Sequence, residues 1–177
     1  MISFRHFLLP VTILLVLSPL LAQQAKPAEP DTQDAIYFLD SSDQTLKPLP
    51  KEPAKPASKV DMHYGTTNIK VAIQIPGTAS SFRVKGGNDL AFVVKCANLP
   101  TYQLLAFTKQ GDNREGVVAT STGKAFQGVT EKKAYLLKFE VSKYGESSYR
   151  LLVKAPDAGE YGFVVGNSVF DYAVDPK

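Results

Sequence analysis

The stretch APDAGEYGFVV, residues Ala155–Val165, places Asp157, Gly159 and Tyr161 at alternate positions and runs straight into an alternating apolar segment. A period of two with an aromatic at the entry is the signature of a β-strand, and Tyr161, Phe163 and Val165 share the face that meets the core. The neighbouring segments repeat the pattern. SYRLLVK before it groups Tyr149, Leu151 and Val153, and SVFDYAV after it groups Phe170, Tyr172 and Val174. Three consecutive strands joined by short turns therefore organise the C-terminal part of the chain, and the acid, glycine and tyrosine read as architecture rather than as a catalytic set.

Working back towards the N-terminus, AYLLKFEV sets Tyr135, Leu137, Phe139 and Val141 against Lys138 and Glu140, which predicts a further half-buried strand. EGVVATST is a less regular strand, and TYQLLAFTK, apolar on both faces, predicts a central one that closes at the turn Gln110-Gly111-Asp112-Asn113. In DLAFVVKCANL, Leu90, Phe92, Val94 and Cys96 share a face, so the thiol is expected to point inward. Phe82 and Val84 make a short strand before the turn Gly86-Gly87-Asn88. Ile69, Val71, Ile73 and Ile75 alternate with Lys70, Ala72 and Gln74 until Pro76-Gly77 stops the run. No segment carries a helical period. Short strands punctuated by Gly, Pro and Asn turns predict an all-β protein, an antiparallel sandwich or barrel.

The first residues have the layout of a secretory signal peptide, 1–22: Arg5, an apolar run from Phe7, then Pro19 and Ala22 before the polar QQ. A flexible leader, 23–34, is expected next, then a β-hairpin, 35–49, whose apolar halves flank Ser41, Ser42, Asp43 and Gln44. Residues 50–66 form a Pro/Lys-rich linker. Pro48, Pro50, Pro53 and Pro56 stand among Lys47, Lys51, Lys55 and Lys59, and prolines at that density remove amide donors and favour an extended, mobile tether. The β-sandwich domain is expected over 67–177.

At the step DAGEY, Asp157 to Tyr161, the chain resembles immunoglobulin-like domains, in which an Asp-x-Gly-x-Tyr segment enters strand F and the tyrosine hydroxyl turns back to upstream backbone. The resemblance implies that SYRLLVK is strand E, SVFDYAV is strand G, Gly159 permits the turn, and Tyr161 bonds near Pro156 or Asp157. It also implies that Phe163 stands where antibody-type domains carry their second cysteine, with Cys96 at the strand B position. The chain departs from that pattern in having no tryptophan. The hairpin, the Lys/Pro stretch, SSFRV and KYGESSYR are similar to segments of uncharacterised bacterial exported proteins, a likeness that implies no activity.

Chemistry is sparsely provided. His6 leaves with the signal, so His63 is the sole histidine of the mature chain and must serve every Ser–His or Cys–His scheme. Cys96 is the only cysteine, so no intrachain disulfide can form; the thiol is either buried or bridges two chains. No carboxylate pair is placed by the pattern in a buried cleft: Asp171 and Asp175 flank the last strand, Glu140 points outward, and Asp40 and Asp43 sit in a turn. DSSD and GDN are turn sequences that offer oxygen ligands outside any twelve-residue calcium loop. Tyr64, Tyr102 and Tyr144 are available to stack on a sugar or a protein. Removing residues 1–22 takes only Arg5 from 20 basic residues and none from 17 acidic ones, a balance that excludes a strongly basic nucleic-acid binder. No catalytic, cofactor-binding or metal-ligating residue is assigned. The sequence predicts a secreted or periplasmic, non-enzymatic binding or structural module of the bacterial cell envelope, with a protein or envelope polysaccharide partner and no stable membrane span after signal cleavage. The alternatives are a hydrolase with an unusual carboxylate site and an envelope-assembly subunit that uses its hairpin for strand addition.

Overall fold

The computed structural model describes residues 28–124 and 128–177; the expected signal peptide and the leader as far as residue 27 lie outside them. Everything regular in it is β-structure, arranged in two sheets. The first has five strands in the order β12 (Glu140–Lys143), β13 (Ser148–Val153), β8 (Leu90–Lys95), β1 (Ile36–Leu39) and β2 (Leu46–Pro48). The second runs β3 (Lys51–Pro53), β15 (Ser168–Asp175), β14 (Gly159–Val165), β9 (Gln103–Gln110), β10 (Asn113–Lys124), β6 (Thr66–Pro76) and β4 (Lys55–Pro56). Onto it are added β11 (Gly128–Ala134) beside β10, β5 (Lys59–His63) beside β6 and β7 (Arg83–Lys85) beside β15. All these pairings are antiparallel except that of β7 with β15, which is parallel.

Two cores explain why the middle strands are apolar on both sides. Between the sheets, Ile36, Phe92, Val94 and Leu151 meet Leu104, Phe163, Phe170 and Tyr172. The Phe92 ring lies 5.1 Å from that of Phe163 and 4.7 Å from that of Tyr172, within the range of favourable aromatic contact. On the opposite side of β9, β14 and β15, the second sheet curls round Ile75, Leu105, Phe107, Val164 and Val169, forming a nearly closed barrel. Gly162 stands where β14 and β15 are tightest: a Cβ there would fall 2.5 Å from Val169 Cγ1 and 3.1 Å from Phe107 Cε2. Tyr161 is buried, and its hydroxyl donates to the Asp157 carbonyl at 3.0 Å, where the sequence placed it. The left-handed backbone of that corner falls on Ala155, with φ of 25°, and not on Gly159, which is the first residue of β14.

Two sequence readings are revised, and one is borne out. The proline-rich stretch is extended but pinned, because β3 pairs with β15 and β4 with β6, so residues 51–56 bring the two rims of the barrel together. Ala54 N–H donates to the Asn167 carbonyl at 3.0 Å and Ala57 N–H to the Ala72 carbonyl at 2.9 Å, which supplies the donors that the prolines lack. Prolines are tolerated there because these are rim strands, where one side of the ladder is open. The less regular EGVVATST is a strand as read: it belongs to β10, whose bulge between Val117 and Ala119 breaks the alternation. AYLLKFEV, predicted as one strand, is split. β11 ends at Ala134, Leu137 makes a single bridge to Leu104, and β12 begins at Glu140, so this segment carries the chain from one sheet to the other. Tyr135, Leu137 and Val141 are consequently exposed, and only Phe139 of that set packs against the core.

Candidate functional site

The strongest electrostatic feature is inside the barrel. Arg114, 2% exposed, points Nη1 at Asp171 Oδ2, 2.7 Å away, and at Glu160 Oε2, 3.0 Å away; Asp171 is 1% exposed. The guanidinium also donates to the carbonyls of Gly77 and Pro76. Glu160 accepts from the Ser80 amide at 2.7 Å and faces Arg83, which is bound in turn to Asp175. The sequence pattern buried no carboxylate, so Asp171 is a correction. It sits on the barrel side of β15 between Val169 and Ala173, and an acid can occupy a doubly buried strand only beside a compensating charge. That rule was the available signal, although it could not name Arg114, which sits beyond the β9–β10 turn. Two carboxylates converge here, as a hydrolase requires, but both are already engaged by one arginine, and the arrangement neutralises charge.

A cleft of about 360 Å³ opens between the hairpin and β7, floored by Phe38 and Phe82 and edged by Asp40, Lys47, Lys85 and Asp89. Its polar groups are largely occupied. Asp40 accepts from the Ser42 amide and hydroxyl and from Lys47, whose ammonium holds its carboxyl well below the usual carboxylate range. Asp43 accepts from the Thr45 amide and hydroxyl. DSSD is thus a closed pair of side-chain turns. Among the described residues no three His, Cys, Asp or Glu side chains are grouped to hold a metal ion. The hairpin itself is part of the first sheet, with Ile36, Leu39 and Leu49 buried and β2, three residues long and ending in Pro48, at its edge.

The third feature is a projecting ribbon. β10 leaves β9 after Gly116, and its outer half runs on between β6 and β11, with β5 on the far side of β6. Residues paired across strands point to the same side, so the register sorts the ribbon into two faces. One face holds the rows Val60–Ile69–Ser121–Lys132 and Met62–Thr67–Gly123–Val129, followed by Val71 beside Ala119. The other holds Lys59–Lys70–Thr120–Lys133 and Asp61–Asn68–Thr122–Glu131. The apolar face is the continuation along β6 of the barrel interior, since Ile69 and Val71 are in phase with Ile73 and Ile75. Its exposure is greatest on the edge strands, 54% at Val60, 68% at Val129 and 79% at Met62, against 36% at Ile69 and 41% at Val71 on the inner strand β6. At the tip the ends of β5 and β10 flank the start of β6, because Thr66 pairs with both His63 and Lys124. Tyr64, 96% exposed, occupies the turn with φ of 44°, and its ring packs edge-on against His63 at 4.3 Å.

Of the residues singled out in the sequence, His63 and Tyr64 therefore meet at this tip. Tyr102 is buried, and its hydroxyl's pKa is pushed up by burial; Cys96 is buried too, and burial raises its thiol. The ribbon was missed although KVDMH alternates Val60 and Met62 with charged residues, because the prolines before it led the reading to a tether. No family model, no curated protein and no solved structure matches the chain.

Proposed function

We propose that the chain is an exported, non-enzymatic binding module, set in the bacterial cell envelope as the sequence likeness implies, and that the ribbon is its contact surface. One observation carries this reading: among the described residues the most exposed large apolar side chains, Met62, Tyr64 and Val129, are gathered on the ribbon, Met62 and Val129 on its two edge strands and Tyr64 in the turn that follows one of them. Apolar groups clustered on an outlying sheet face mark a contact site more often than a free surface. A carboxylate hydrolase has less support, since Glu160 and Asp171 share Arg114.

For the fold we propose the finer, immunoglobulin-like reading of the sandwich. Its support is the neighbour pattern: the strand likened to E, β13, lies beside β8, and the strand likened to F, β14, lies between β9 and the strand likened to G, β15. The Tyr161 hydroxyl bond is the second support. The ribbon and the barrel closure are additions to that plan.

Affinity capture from envelope extract tests the binding role by comparison. A Val60→Ser/Met62→Ser/Val129→Ser chain is expected to lose components that the wild type retains, while a Phe82→Ser cleft variant keeps them, with thermal unfolding verifying that both are folded. Equal capture by all three chains would remove the ribbon as the contact surface.

A further inference from the structure

We infer that the outer face of the first sheet binds an acidic polysaccharide, with carboxylated sugars meeting Arg150 and Lys95 and a neighbouring sugar ring lying against Tyr37. This surface is separate from the ribbon. It is the side of the sheet opposite Phe92, Val94 and Leu151, which face the core between the sheets. Residues paired across strands share a side, so the register builds the face in rows. One row is Ser142–Arg150–Val93–Tyr37–Pro48, and the next is Glu140–Leu152–Ala91–Leu39–Leu46. Lys95, two residues past Val93 on β8, stands on the same side and is diagonal to both Arg150 and Tyr37, within the reach of long side chains.

Charge selects the sign of the ligand. Arg83 and Arg114 are each tied to carboxylates, whereas the Arg150 guanidinium and the Lys95 ammonium have no hydrogen-bond or ion-pair partner among the described residues. The acids nearest in register are engaged elsewhere: Glu29 accepts from Ser147 and Ser148, and Glu140 faces Lys154 at 3.8 Å. Two adjacent cations without a counter-charge repel each other, and an anion between them removes that repulsion. The planar fork of an arginine matches a carboxylate in two parallel hydrogen bonds.

The rest of the face selects the kind of molecule. Val93 is wholly buried and Leu39 nearly so, while Ser142, Arg150 and Glu140 are exposed, so the face offers polar groups rather than an apolar patch. A peptide gains main-chain hydrogen bonds at an open strand edge, and β8, paired on both sides, has none to give here. Side chains alone suit a ligand that binds through hydroxyls, carboxylates and ring faces. Tyr37 supplies a half-buried ring whose hydroxyl has no partner among the described residues. It lies two strand spacings from Arg150, about 10 Å, so a chain of sugars, rather than one sugar, spans both.

The test measures retention of the full chain on surfaces carrying alginate, a polyuronate, neutral dextran or polyglutamate, with thermal unfolding verifying that every variant is folded. Retention on alginate is expected, at least about tenfold stronger than on dextran. Arg150→Gln should weaken it about tenfold, Arg150→Lys should restore only part of the loss, and Tyr37→Ala should weaken it about fivefold. Lys109→Gln, an equal loss of charge on the other sheet, should change it less than about twofold. Equal weakening by Arg150→Gln and Lys109→Gln overturns the site, since the attraction is then to net charge. Tighter retention on polyglutamate than on alginate overturns the polysaccharide in favour of an acidic peptide. Retention lost in the Val60→Ser/Met62→Ser/Val129→Ser chain but kept by Arg150→Gln moves the contact to the ribbon. No retention on alginate defeats the inference and leaves the reading of the ribbon as it stands.

Discussion

Replacing Arg114 by methionine removes the guanidinium and keeps an apolar stem of similar length in the barrel. The structure fixes what is left behind. Asp171, 1% exposed, loses the group 2.7 Å from its Oδ2, and its Oδ1 has no hydrogen-bond partner among the described residues. Glu160 keeps the Ser80 amide and Arg83, so the penalty falls on Asp171. Breaking a buried pair from one side costs about 3–5 kcal/mol, against a total stability of about 5–15 kcal/mol for a domain. The exposed pair Lys154–Asp89, N to O 3.2 Å, is the internal comparison: Lys154→Met should cost under about 1 kcal/mol. Adding Asp171→Leu to Arg114→Met removes the stranded charge and should recover most of the loss. Urea unfolding of the wild type, both single variants and the double variant measures all of this, with equal slopes required before midpoints are compared. An Arg114→Met protein within about 1 kcal/mol of wild type, or a double variant no more stable than the single one, would refute the reasoning.

Tyr161→Phe removes one hydrogen bond whose acceptor belongs to the exposed Asp157, so water can replace the donor and the cost should be about 0.5–1.5 kcal/mol in the same assay; no change would mean the corner is held by ring packing alone. The carboxyl of Glu29 accepts from the hydroxyls of Ser147 and Ser148 and from the amides of Glu146 and Ser147, which lowers its pKa to about 2. Because that value lies below the ordinary one, the latch contributes above the usual carboxylate range and is lost as pH falls towards 2; the Ser147 amide shift followed by NMR should titrate there, and a midpoint near 4.5 would break the assignment. The Ala54 and Ala57 amides should exchange slowly, as closure of the barrel requires, and exchange at the rate of a free chain would return residues 50–58 to a tether.

Period two in a sequence specifies which residues share a face; it does not say what covers that face. The difference separates the parts of this fold that were legible from those that were not. For β8, β13, β14 and β15 a strong pattern coincided with a covered face, and the reading of strand, face and inward thiol carried through to the buried Phe92, Val94, Cys96 and Leu151. Ile69, Val71, Ile73 and Ile75 show the same regularity along β6, yet the core ends between Ile73 and Val71, and nothing in the four residues marks the boundary. Where pairing depends on distant partners the local signal failed in both directions: prolines that disfavour a central strand are compatible with the rims of a barrel, and an apolar run can cross between sheets instead of joining one. The ribbon combines these two failures. Its alternation was visible in KVDMH and NIKVAIQI, but only the register that sets Val60 against Ile69 and Met62 against Thr67 gathers the apolar residues onto a single face, and only the departure of β10 from β9 leaves that face without a layer above it. A contact surface of this kind is legible in a sequence as a core strand with no core to serve, and it becomes distinguishable from one when the number of strand faces exceeds what the two packed layers can cover.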